Sequence, residues 1–342
     1  MKRATDFATY MDSFMKHYLP QQNMQTNTFL SYYDTFTLLL VFMRDQEGIQ
    51  AEKLMLKDFT HSSIERFLKY LKDERCNSPS TCNVRLSAIH SFFRYLQYEC
   101  PVMLPEWQKI IGIKFMKAPK RVMNYTSAEG MKLILSLPDQ HTDIGRRDLA
   151  LMALLFDTAA RVTEICDFTP SCIHFAEPCT VKIIGKGNKA RIVPMRVQQL
   201  AILKAYMAEN QLLEASANKY PLFPNKQGTK LTRQGVGKIL RKYVDVARLQ
   251  RPDLIPETFS CHCVRHTGAM IMLQADIPLV YIRDFLGHAS TQTTEIYCKA
   301  DSKMKREALA KVYANAHVSE MAPKWEKDRD MLKWLMNFGQ KE

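Results

Sequence analysis

The sequence has no apolar run long enough to cross a membrane. Its longest, Thr37 to Met43 and Leu149 to Phe156, fall far short of the roughly 20 residues a spanning helix needs. The N-terminus opens Met1-Lys2-Arg3 but continues Ala4-Thr5-Asp6-Phe7, with no apolar core and no cleavage site, so no secretory signal is expected. The nine cysteines contain no C-x-x-C pair. An odd number of thiols in a long chain suits a reducing cytosol rather than a disulfide framework. Cys261-His262-Cys263 lacks the paired spacing of zinc ligands and no second cluster follows, so two buried thiols flanking a histidine are expected, and no metal. Gly185-Lys186-Gly187 is present, but a full G-x-x-x-x-G-K-[ST] is not, so nucleotide binding is not expected. There is no internal repeat and no low-complexity stretch.

What remains is a folded, basic chain. Its 342 residues suit two domains, and 46% apolar with 10% aromatic residues is ample for two cores. A net charge of +13 points to a polyanionic partner, nucleic acid or an anionic surface, unless the protein is simply a soluble basic one.

The first 112 residues read as helices. Ala4 to Tyr18 is stopped by Leu19-Pro20, and Thr28 to Arg44 carries Phe29, Tyr32, Phe36, Leu39, Leu40 and Met43 at helical spacing. Ser62-Ser63 opens a third helix. Ser78-Pro79-Ser80 precedes a fourth, bearing Val84, Leu86, Ile89, Phe92, Phe93 and Leu96. Such aromatic stripes are core rather than base-stacking platforms. Scattered basic residues, Arg85 among them, form a solvated face or contact phosphates if this part binds DNA. Residues 113–124, with Lys117, Lys120 and Arg121, read as a basic linker.

A second domain is expected over 125–316, opened by the capping box Thr126-Ser127-Ala128-Glu129. Arg146 to Ala159 is an apolar core helix. Arg161 follows directly, and an arginine there needs a partner, Glu164 or Asp167, or a function. Two short strands around Gly185 to Ala190 make a hairpin whose tip holds Lys186, Lys189 and Arg191. Helices follow over Val197 to Glu209 and Thr232 to Arg248. Further on, His262 and Arg265 are three apart and share a helix face. Arginine presents a planar fork of donors suited to a phosphate, and histidine moves a proton near neutral pH. Gly287 can end a helix in a left-handed conformation, and Tyr297 lies nine residues beyond His288. Two imidazoles, an arginine and a phenol could bind a phosphodiester, or attack it.

The ordered set His262-x-x-Arg265-His266, Leu286-Gly287-His288 and Tyr297 resembles the tyrosine recombinases, the phage integrase family. Thr158-Ala159-Ala160-Arg161-Val162-Thr163-Glu164-Ile165 is similar to that family's Thr-Gly-x-Arg segment, with Ala159 where glycine is usual. Val264 stands where leucine is commoner, a core swap expected to be tolerated. Ser80 to Leu96 is similar to the end of the family's helical core-binding domain. The resemblance implies a mainly α fold with a small β-sheet: an N-terminal helical, SAM-like core-binding domain over 1–112, the linker, and an α+β catalytic domain. Segment 317–342 would dock on its own domain or on a neighbouring subunit. By motif match Arg161 and Arg265 would hold the nonbridging oxygens, Tyr297 would be the nucleophile and His262 its general base. His288 would bond the phosphate, and Lys186, or else Lys189, would protonate the leaving oxygen. No metal or other cofactor is implied.

Double-stranded DNA is the expected partner. Lys189, Arg191, Arg85, Lys117, Lys120 and Arg121 are candidate contacts. A tetramer on two duplexes is expected, from a monomer or weak dimer, with other recombinase subunits of the same element as further partners. The expected location is the cytoplasm of a bacterium, at the nucleoid. Two competing readings are a DNA-binding accessory protein without catalysis and a type IB topoisomerase.

Overall fold

The computed structural model describes residues 4–22, 24, 26–119, 123–300, 330 and 333. The chain divides into two units, Met1–Arg121 and Val122–Glu342.

In the first unit, α1 (Asp6–Ser13) is capped by Thr5, whose hydroxyl accepts the Ala8 N–H. The helical path does not stop at Pro20. It widens into a π turn over Phe14–Tyr18 and continues as α2 (Leu19–Gln21). Proline has no N–H to close a normal turn and crowds the carbonyl behind it; the wide turn relieves both. Helix α3 (Thr26–Asp45) and α4 (His61–Asp73) follow, the latter held by reciprocal Thr60 and Ser63 bonds. Helix α5 (Pro79–Glu99) starts with Ser78 as cap and Pro79 in its first turn. Phe14, Phe36, Phe67, Phe92 and Phe93 are all buried in one core, with Phe14 packed 5.2 Å from Phe92 and Phe93 5.1 Å from Trp107. Val84 departs from the expected stripe and faces solvent, because α5 buries the opposite side through Leu86, Ile89 and Phe93. Helix α6 (Leu104–Ile111), too short and proline-led to show a clear period in sequence, seats Trp107 and Ile110 in the core. The stretch read as linker begins attached: Asn83 exchanges two hydrogen bonds with the Met116 backbone, at 2.8 and 2.9 Å, and Ile113 and Met116 pack on this core.

The second unit opens with α7 (Ala128–Ser136). Its cap is Ser127; Thr126, expected in that role, is buried and donates instead to the Leu254 carbonyl. Helix α8 (Asp143–Thr158) runs through the core. It ends at Ala159 in the left-handed region, φ 44°, where glycine would cost less. Helix α9 (Val162–Cys166) is followed by a three-stranded antiparallel sheet in the order β1 (Ile173–His174), β2 (Thr180–Ile184), β3 (Ala190–Pro194). In the β2–β3 hairpin Ile184 pairs with Ala190, and Gly187 and Asn188 at the turn both take positive φ. Helices α10 (Val197–Glu209), α11 (Arg233–Gln250), α12 (Cys261–Gln274), α13 (Leu279–Leu286) and α14 (Glu295–Ala300) complete the described fold. Gly287 ends α13 at φ 66°, with the His288 N–H reaching back to the Arg283 carbonyl at 3.0 Å. Among the described residues no helix is long and apolar enough to cross a membrane. The segment 317–342, expected to dock on its own domain or on a neighbouring subunit, lies outside the described residues apart from Asp330 and Lys333.

Candidate active site

The left-handed turn at Ala159 redirects the chain so that Arg161 becomes the residue before α9. Glu164, three residues into that turn, accepts the Arg161 N–H and its Nη1, each at 2.8 Å. Arg161 Nη2 also donates to the Gly287 carbonyl at 3.3 Å. The partner required by an arginine after an apolar helix is therefore Glu164; Asp167 pairs with Lys230 instead.

Glu164 has a second, closer-fitting partner. Arg191 on β3 donates Nη1 and Nη2 to its two oxygens at 3.0 and 2.7 Å, and Nε to the Phe285 carbonyl at 3.0 Å. Burial alone would raise the Glu164 carboxyl; hydrogen bonds from Arg191 and Arg161 outweigh it and hold the group below the ordinary carboxylate range. Arg191, a candidate DNA contact by its place on the hairpin, is engaged by this carboxylate. Its side chain is 9% exposed, and a guanidinium forked onto a buried carboxylate is committed to the fold. Arg85 is likewise a tie, donating from Nη1 on α5 to the Ser31 carbonyl and Thr35 hydroxyl on α3. Lys117 and Lys189 are exposed, while Lys120 and Arg121 lie outside the described residues.

Arg265, on α12, is 1% exposed. Its Nη1 and Nη2 donate to the carbonyls of Ala159 and Leu286 at 2.7 and 2.6 Å. Its buried Nε has no partner among the described residues. Burial, with the Arg161 and Arg191 charges, brings its pKa down to about 10. On the same helix, Cys261 and Cys263 turn inward and His262 outward. Three consecutive helical side chains do not converge, which removes the geometry a metal triad would need.

The phenol of Tyr297 is 1% exposed. It sits in a small apolar cluster with Ala159, Ala269, Met270, Leu273, Ile282 and Leu286. Burial raises its pKa, against the charges of Arg265 and Arg161. His288 stacks parallel to its ring, centroids 6.5 Å apart, and is itself held through Nδ1 by Thr294 at 3.0 Å. The hydrogen-bond partner of the phenol among the described residues is one to which the motif gave no role: Nδ1 of His266, 3.1 Å from Tyr297 Oη. His262, one turn earlier, places its ring edge-on to His266 at 4.2 Å. Burial and surrounding cations push His266 and His288 to about 4 and also lower His262.

Lys186 lies in the three-residue turn Lys186–Asn188 at the tip of the hairpin. A pocket of about 200 Å³ opens beside Arg161 and His262, and Arg233 lines it too. Arg233, Glu164 and Thr294 were not singled out as site residues in the sequence. Only the i, i+4 spacing of His262 and His266 carried a readable signal.

Residues 124–304 match the family model of the phage integrase family, and residues 11–99 that of the phage integrase N-terminal SAM-like domain. The chain belongs to the phage integrase family of tyrosine recombinases. It is 32% identical to the integrase/recombinase y4rC of Sinorhizobium fredii (strain NBRC 101917 / NGR234), covering 91% of this chain and 93% of that protein. It is 29% identical to the tyrosine recombinase XerC of Myxococcus xanthus, covering 92% and 99%. A solved structure of the XerH site-specific recombinase bound to a palindromic difH substrate shares the fold. The TM-score is 0.66 and the identity 21%, over 84% of this chain and 81% of that one. This family member thus has the mainly helical fold with a small sheet that its motifs imply, and its Thr-Gly-x-Arg turn is made by an alanine in glycine's conformation.

Proposed function

We propose that this site-specific DNA recombinase cuts and rejoins DNA through a covalent 3′-phosphotyrosine formed by Tyr297. The observation that carries the reading is a buried phenol, Tyr297, that lies within the field of Arg161 and Arg265 and has the rings of His266 and His288 beside it, with His262 against His266, drawn from segments far apart in the chain. Attack on a phosphodiester adds charge at phosphorus, and a preorganised positive site stabilises that charge without reorganising. Arg161 and Arg265 bind the nonbridging oxygens, and the unpartnered Arg265 Nε is one donor available for such a contact. His288 adds a hydrogen bond, and His262 belongs to the general-base path that takes up the proton of Tyr297. Lys186, on the hairpin tip, protonates the departing 5′-oxygen, with Lys189 the alternative. The phosphotyrosine retains the energy of the broken bond, so rejoining needs no ATP.

In the same reading the helical unit and the catalytic unit both contact duplex DNA, and Lys117, Lys120, Arg121 and Lys189 bind phosphates without reading sequence. The chain is a monomer or weak dimer alone and a tetramer on two duplexes, and DNA binding keeps it at the bacterial nucleoid. A stable tetramer by light scattering without DNA would count against that assembly.

The test is a labelled duplex from the gene's own flanking DNA, nicked near the cleavage point so that the covalent complex is trapped. Wild type is expected to give a covalent band on a denaturing gel and Tyr297→Phe none. A band that persists in Tyr297→Phe moves the nucleophile elsewhere. Tight binding with no band from either protein favours an accessory DNA-binding role.

A further inference from the structure

A phenol closed off from solvent cannot release its proton to bulk water. Tyr297 Oη has one hydrogen-bond partner among the described residues, and it is Nδ1 of His266 rather than either ring nitrogen of His262. His262 is exposed, and its ring lies in edge contact with that of His266. His288 is occupied at Nδ1 by Thr294. We infer that His266 takes the proton of Tyr297 directly, and that His262 acts one step further out, between that imidazole and the surroundings.

The inference rests on Tyr297 being the nucleophile and refines how its proton leaves. As the bond from Oη to phosphorus forms and the bond from phosphorus to the 5′-oxygen breaks, the phenolic proton passes to Nδ1 of His266. The departing 5′-oxygen takes a proton from Lys186. In rejoining, the 5′-hydroxyl attacks phosphorus and returns its proton to Lys186, while the His266 imidazolium reprotonates the leaving Tyr297 oxygen. For Nδ1 to accept, the neutral ring must carry its hydrogen on Nε2.

The surroundings favour that state. Burial, His262 and Arg265 on its own helix, and His288 beyond α13 together hold His266 at about 4, so its ring is neutral near pH 7. A phosphodiester entering the site brings the opposite charge to Arg265 and Arg161. The base therefore gains strength only once substrate is present, which protects the free enzyme from premature ionisation of Tyr297.

Two measurements on the full chain test this. Long-range ¹H–¹⁵N NMR of the histidine rings, without DNA at neutral pH, should show His266 with Nδ1 unprotonated and Nε2 protonated, and Tyr297→Phe should shift the Nδ1 resonance. A protonated Nδ1 donating to the phenol overturns the inference. On the nicked duplex, His266→Gln keeps a hydrogen-bonding side chain but cannot carry a proton. Its single-turnover rate of covalent complex formation should fall about 100-fold or more. The rate should climb with pH where wild type is level, and added imidazole should partly restore His266→Ala. A His266→Gln rate and pH profile matching wild type also overturns it. If wild type forms no covalent complex at all, the recombinase reading fails, and the NMR arm still decides where the proton lies.

Discussion

Arg191 and Glu164 form a two-pronged ion pair, 2.7 and 3.0 Å long, that joins β3 to α9. The same carboxylate holds Arg161, and Arg191 also fastens the Phe285 carbonyl at the end of α13. The pair therefore sets the position of a guanidinium that would touch the phosphate, from a place where it touches none itself.

Removing one member leaves the other charge buried. Arg191→Met should lower stability in urea unfolding by roughly 3–5 kcal/mol, and reduce covalent complex formation even where the protein is folded. Lys189→Ala, an exposed change on the same hairpin, should leave stability within about 0.5 kcal/mol. It should also reduce the salt dependence of DNA binding by about one phosphate contact. Equal effects of the two substitutions on stability would sink the distinction.

Gly287→Ala should be costly for two reasons. The residue sits at φ 66°, and an added Cβ would lie 3.1 Å from the Arg191 side chain. The backbone penalty alone is about 1 kcal/mol. Because the Gly287 carbonyl receives Arg161 Nη2, cleavage should drop more than a thermal shift of that size explains. A normal cleavage rate with a lowered melting temperature would show that Arg161 does not depend on this carbonyl.

Stability should fall in mild acid. His266 and His288 have pKa values of about 4 in the fold against an ordinary 6.5. Between these values the unfolded chain binds more protons than the native one, so stability rises with pH across that window and is fully present above it. Glu164, held low, adds its own loss only below its ordinary range. Urea midpoints measured from pH 7 to pH 4 should slope accordingly, and less steeply in His288→Asn. A flat profile would mean these rings are not desolvated as described.

If Lys186 protonates the leaving oxygen, a leaving group that needs no proton should bypass it. Lys186→Ala should slow cleavage of an ordinary phosphodiester by about 100-fold or more, yet cleave a 5′-bridging phosphorothiolate at nearly the wild-type rate. An equal defect on both substrates would transfer the role to Lys189 or to another group.

Much of this protein could be read without coordinates. Apolar spacing marked α3, α4, α5 and α8, and Gly187-Asn188 marked the hairpin, because helix and turn preferences are local. Helix α6 escaped because eight proline-led residues show little period, and β1 because two residues show none. Val84 and Thr126 were misplaced for a different reason. Each sits at a position with the right spacing, and neighbouring segments decided which side was buried.

The sequence by itself determined the chemistry available: the order and spacing of Arg161, Lys186, His262, Arg265, His288 and Tyr297 mark the family, since motif spacing is a property of the chain. Only the tertiary structure decided where those groups are placed. It turned Arg191 from a surface cation into the buried partner of Glu164, 27 residues away, and brought His266 within 3.1 Å of a phenol 31 residues further on. Hydrogen bonds across such separations depend on how helices and strands pack, and local periodicity carries no record of that.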